Sequence, residues 1–155
     1  MGMDVYGKRP RSEAGKYFRA NVWGWCPLWD YCCLVAPELT DKVKYGHSND
    51  GDGLRAVDSR KLAKILQDEL ASGRTALAEM SYKESLDALP DEECDVCGGT
   101  GKRAEPPNVG PGKIKCNGCN GCGKRRPFAV HYDFETNFVK EFAEFLQDCG
   151  GFEIW

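Results

Sequence analysis

Five of the nine cysteines lie between positions 94 and 122, in two short stretches spaced for metal ligation. CDVCGGTG runs from Cys94 to Gly101, and CNGCNGCG from Cys116 to Gly123. Aligned, both fit C-x-x-C-x-G-x-G. Cys94 and Cys97 match Cys116 and Cys119, Gly99 matches Gly121, and Gly101 matches Gly123. Cys122 falls opposite Thr100 and is the extra thiol. A structural Zn²⁺ takes four ligands tetrahedrally, with Zn–S near ~2.3 Å. Two residues between cysteines let one tight turn bring both sulfurs to the same ion. Glycines just after the second cysteine accept positive φ, so backbone N–H groups can turn back on the sulfurs. Eighteen residues, Gly98 to Lys115, separate the pairs, inside the C-x₂-C-x₁₅₋₂₀-C-x₂-C window that reads as zinc. The expected ligands of one structural zinc are therefore Cys94, Cys97, Cys116 and Cys119. In a variant of this set Cys122 displaces Cys119 or stands by as a redox-sensitive thiol. An iron–sulfur cluster and a thioredoxin-like redox pair are the rival uses of the same thiols. The redox rival lacks a βαβ pattern ahead of either pair.

The two stretches resemble units of the cysteine-rich zinc domain of the J-domain chaperones, the DnaJ type. That family carries four such units making two zinc sites, in a domain that helps handle substrate proteins and has thiol–disulfide activity ascribed to it. The resemblance covers about 30 of the 155 residues. Two units imply one zinc. There is no His-Pro-Asp signature, so an Hsp70-stimulating role does not carry over. The remainder is similar to small bacterial or phage-encoded proteins with no activity attached, which implies a phage or mobile-element connection.

The elements that must hold these loops read as a mainly helical α+β chain: a small helical body, an inserted zinc-knuckle β-hairpin module and one short strand. Residues 1–93 are expected to be the helical N-terminal part of the body, 94–126 the zinc module, and 127–155 a strand and C-terminal helix packing back on the body. Residues 1–20 read as an irregular, polar entry segment. Pro27 suits a first helical turn, predicting a helix from Pro27 to Ala36 that ends before Pro37. Leu28, Tyr31, Cys32 and Val35 then share a face, with Trp23, Trp25 and Trp29 around its start, as core. DSRKLAKILQDELAS predicts a helix over 58–72, capped by Ser59 and ended by Gly73. A second helix over 74–89 carries Leu77, Met80, Leu86 and Leu89 and stops at Pro90. PFAVHYDF, 127–134, has the alternation of a strand, and Thr136 to Cys149 is a last helix closed by Gly150-Gly151. The loop HSNDGDGL, His47 to Leu54, imitates a calcium loop through Ser48, Asp50, Asp52 and Gly53. Its twelfth position is Ser59 where a bidentate glutamate belongs, so tight Asp-Gly turns explain it.

Composition bounds the function. With 41% hydrophobic and 29% charged residues the chain is a folded protein. It carries no long apolar run and no signal-peptide pattern, so a cytoplasmic location is expected, and clustered thiols there serve metal or redox chemistry. The net charge of −3 hides an asymmetry. Lys102, Arg103, Lys113, Lys115, Lys124, Arg125 and Arg126 face only Asp95 and Glu105 between Cys94 and Arg126, a balance of +5. Four thiolates and one Zn²⁺ would cut this to about +3. The expected function is a non-enzymatic, zinc-stabilised protein-binding adaptor with a protein partner and no membrane. The first alternative is nucleic-acid binding through those seven basic residues. The second is a thiol–disulfide oxidoreductase or chaperone-like activity at Cys119/Cys122. His47 and His131, the two histidines, sit in no recognisable catalytic motif.

Overall fold

Residues 2–155 are described by the computed structural model. In chain order the elements are strands β1 (Gly2–Gly7) and β2 (Tyr17–Asn21), then helices α1 (Val22–Val35), α2 (Pro37–Thr40), α3 (Ala56–Ala71) and α4 (Arg74–Asp87). Strands β3 (Glu92–Glu93), β4 (Lys102–Arg103), β5 (Ile114–Lys115) and β6 (Lys124–Arg125) follow. The chain ends with a 3₁₀ turn at Phe128–His131, helix α5 (Thr136–Asp148) and strand β7 (Phe152–Ile154). The fold is mixed α+β, 42% helical against 17% strand, so helices dominate. No helix among the described residues is long and apolar enough to cross a membrane. Two compact units result: one runs up to Lys83 and resumes over Tyr132–Trp155, and the other is Glu84–His131.

The first unit is built on a sheet that the N-terminal residues were not expected to form. β1 pairs antiparallel with β2 and with β7, in the order β2-β1-β7. Met3 and Val5 on β1, Phe18 and Ala20 on β2, and Phe152 and Ile154 on β7 are all buried, while Asp4, Tyr6, Arg19 and Glu153 alternate outward. Period-two alternation over such short runs, interrupted by charged residues, is easily taken for loop. Helices α1, α3 and α5 complete the core, with Trp25, Trp29, Phe142, Phe145 and Phe152 essentially inaccessible. Trp25 stacks on Trp29 at 5.6 Å, and Phe142 meets Trp25 edge-on at 5.5 Å. Trp25 and Trp29 are thus core, whereas Trp23 is only half-buried and meets Tyr132 edge-on at 5.0 Å.

Helix α1 begins five residues before Pro27, capped by Asn21, whose Oδ1 accepts the Gly24 N–H at 2.8 Å. Pro27 therefore sits inside the helix, where it has no N–H for the Trp23 carbonyl. The backbone N–H of Asp133 takes that place, donating to Trp23 O at 3.2 Å. α3 likewise starts at Ala56 rather than 58. Ser59 is buried in its first turns and donates to the Arg55 carbonyl at 3.0 Å instead of capping. Gly73, at φ +77, ends the helix as expected.

Two further expectations are corrected. Residues 127–134 form no strand: Pro127 opens a turn in which Val130 N–H bonds back to its carbonyl at 3.2 Å, and the sheet edge beside β1 belongs to β7. In α4, Leu77 and Met80 are 65% and 60% exposed, so the apolar face read there is not a core face. Thr75, Ala78 and Tyr82 do the packing. α4 also supplies a cap. Glu135 at the start of α5 makes no side-chain cap, and Glu79 instead accepts the Thr136 N–H at 2.8 Å. The bonds from Lys83 and Thr136 hold the Glu79 carboxyl at about 2.

Candidate metal centre

The second unit has one buried cluster: Cys94, Cys97, Cys116 and Cys119, with Val96 packed against it. All four sulfurs lie within 4.8 Å of one another, and among the described residues no other group of potential ligands converges in this way. Cys94 Sγ to Cys116 Sγ and Cys97 Sγ to Cys119 Sγ are both 3.8 Å. A regular tetrahedron with metal–sulfur bonds near ~2.3 Å has edges of about 3.8 Å, so the thiols fit one tetrahedrally bound ion. A disulfide would need about 2.05 Å, and all nine cysteines are free.

The sequence repeat explains how so few residues achieve this. Equivalent positions lie 22 residues apart, and they make reciprocal bonds. Cys94 N–H donates to the Gly123 carbonyl at 2.9 Å, and Cys116 N–H to the Gly101 carbonyl, also at 2.9 Å. β3 pairs with β6, and β4 with β5, so each repeat lends a strand to either ribbon. Gly101 and Gly123 are positive in φ, at +74 and +81. A Cβ on either would strike the carbonyl of Gly121 or Gly99, respectively. The knuckles close on each other because both positions are glycine.

Amide donors aimed at sulfur tune the thiols. Gly123 N–H reaches Cys119 Sγ at 3.2 Å. Burial alone would raise the Cys119 pKa. The amides of Gly123 and Gly121 and the thiols of Cys116 and Cys97 outweigh it and bring Cys119 down to about 6. Burial pushes Cys94 up to about 11, against the lowering pull of the Val96 and Cys97 amides. Of these two thiols, Cys119 is the more readily ionised.

Cys122 is not part of the cluster. Its Sγ donates to the carbonyls of Cys119 at 2.9 Å and Lys124 at 3.0 Å. Thr100 Oγ1, its equivalent in the repeat, bonds the carbonyls of Cys97 at 2.8 Å and Lys102 at 2.7 Å. The extra thiol therefore stands in for a hydroxyl that braces the knuckle.

The basic residues divide into two sets. Arg103 bonds Asn117 Oδ1 at 2.7 Å and the Asn108 carbonyl at 3.2 Å. Arg125 pairs with Asp95 at 2.7 Å. Arg126 bonds the Leu86 and Leu89 carbonyls, both at 2.6 Å, where α4 ends. These three arginines hold the unit together. Lys102, Lys113, Lys115 and Lys124 are exposed and, among the described residues, make no ion pair.

The His47–Leu54 loop is structural. Trp25 Nε1 donates to the Gly46 carbonyl at 2.7 Å, and His47 Nε2 lies 2.7 Å from Asp30 Oδ1. Asp52 Oδ2 accepts the amides of Lys44 at 2.7 Å and Tyr45 at 3.2 Å, and Asp50 accepts from Ser48. Carboxylates committed in this way build turns.

Comparison of the chain with protein-family models, with curated proteins and with solved structures finds no match. The likeness to the DnaJ-type units therefore rests on the two sequence motifs alone.

Proposed function

We propose that the chain is a non-enzymatic, zinc-stabilised adaptor whose second unit is a binding module for a partner protein. One observation carries this reading: four buried sulfurs within 4.8 Å of one another would complete a coordination shell from the protein alone. An ion held so has no open position for water or substrate, which is the arrangement of structural rather than hydrolytic zinc. All-thiolate tetrahedral ligation selects zinc or iron among common metals, and sulfurs within 4.8 Å of one another enclose one ion rather than a multi-iron cluster. When bound, the metal supplies cross-linking and charge neutralisation; the glycine turns and reciprocal amide bonds supply orientation.

Elemental analysis of the full chain expressed with ample zinc and iron tests the first half. One zinc per chain is expected. Stoichiometric iron, or no metal, overturns it. The second half is tested by cross-linking in native cells, comparing the wild-type chain with Cys97→Ser. A stoichiometric partner protein lost in the variant is expected, and a chain that remains solitary overturns the adaptor reading.

A further inference from the structure

The two ribbons of the second unit are equivalent in backbone and opposite in charge design. In one, Lys124 lies directly across from Glu93; in the other, Lys102 lies directly across from Lys115. Lys102 is the repeat equivalent of Lys124, and Lys115 that of Glu93. The side chains even lie alike, Glu93 over Gly99 and Lys115 over Gly121, two glycines that are themselves equivalent. At one position the repeat therefore keeps the shape and reverses the sign. Like charges directly across a ribbon are destabilising, and a carboxylate in this place is demonstrably accommodated by the fold. No acid among the described residues pairs with either lysine, and Lys113 adds a third cation two residues away.

From this asymmetry we infer that the β4–β5 ribbon is a docking surface for an acidic segment of a partner protein, the Lys102–Lys115 pair being its anion-binding centre. The inference deepens the adaptor reading and rests on it. The ribbon residues carry no aromatic ring on which a base could stack, which single-stranded nucleic-acid sites rely on. Arg103, Arg125 and Arg126, the side chains suited to forked phosphate contacts, are committed within the unit. The same arm instead exposes Val109, at 69%, and Ile114, at 42%. Cations beside exposed aliphatic side chains suit a peptide with both carboxylates and apolar groups.

The test is a fluorescence-anisotropy titration of the full, metal-loaded chain with a fluorescein-labelled peptide of alternating glutamate and leucine. An oligonucleotide of equal charge serves as competitor, and metal content is assayed in parallel. Binding that weakens with salt is expected. Lys115→Glu restores the neutral pairing of the other ribbon and should weaken binding about tenfold with metal content unchanged. Lys140→Glu, the same change of net charge on an exposed residue of α5, should stay within about twofold of wild type. Equal losses in the two variants, or none in Lys115→Glu, would overturn the inference. Tighter binding of the oligonucleotide, abolished by Lys115→Glu, would reassign the surface to nucleic acid and overturn it as well. A chain without metal would sink the sulfur site and the ribbon geometry together, a failure read in the metal assay rather than in the titration.

Discussion

The two units solve the problem of a stable interior by different means. The first buries a continuous hydrocarbon core, in which Trp25, Trp29, Phe142, Phe145 and Phe152 are sealed from solvent between a sheet and three helices. The second, Glu84–His131, buries four cysteines and little else. So short a segment cannot bury enough apolar surface to offset chain entropy and needs a covalent or metal staple. Its hydrogen bonds orient the sulfurs, and its arginines tie loops to backbone carbonyls. The contrast teaches that removal of one atom type can dissolve one unit and leave the other standing.

The largest effect expected is Cys97→Ser. Structural zinc in small domains contributes apparent binding energies of about 10–16 kcal/mol, so losing one of four ligands should abolish stoichiometric metal binding and folding of the second unit. Amide exchange should become fast over 84–131 and stay slow in α3 and α5, since none of the four ligands lies in the hydrocarbon core. Global loss of helix by circular dichroism would break the comparison. Phe142→Ala is the converse probe: it should cost about 3–5 kcal/mol in urea unfolding of the first unit while metal content stays at that of wild type.

Smaller is the effect of Glu79→Gln, about 1 kcal/mol, from a weakened cap on α5. The pH dependence has a defined sign. Glu79 is held at about 2 in the folded chain, below its ordinary 4.5. The unfolded chain therefore binds the extra proton between those values, and stability rises with pH there. The contribution of Glu79 should be complete above about pH 4.5 and disappear as the pH falls towards 2. Glu79→Gln should flatten that limb of an acid-unfolding curve. The smallest effect should come from Cys122→Thr, within about 0.5 kcal/mol and with metal content unchanged, because Thr100 already shows a threonine making the same two bonds. Loss of metal in this variant would return Cys122 to the candidate ligands.

The buried cysteine cluster was legible because ligand spacing is local. The positions of Cys94, Cys97, Cys116 and Cys119 and the flanking glycines already bring four thiols together. Helices over 58–72, 74–89 and 136–149 were legible from apolar spacing, with ends shifted by up to two residues. The sheet was not legible, since each of its strands owes its existence to partners far along the chain; β1 meets Phe152 and Ile154 only in the fold. The place of Pro27 was misjudged for the same reason. A proline inside a helix is tolerable where a distant amide compensates, and Asp133 is 106 residues away. The division of the seven cations into three structural arginines and four free-standing lysines also needed coordinates, because composition counts charge without showing what it touches.

Tyr82 Oη donates to the carbonyl of Tyr132 at 3.4 Å, so the chain leaves the first unit and re-enters it at one spot, where Asp133 is at once sewn to Trp23. Such a closed doorway makes the cysteine-clustered segment a cassette. Whatever lies over Glu84–His131 could be exchanged for another insert, or a short linker, without retuning the host, and new specificities could be acquired by replacement rather than by gradual remodelling.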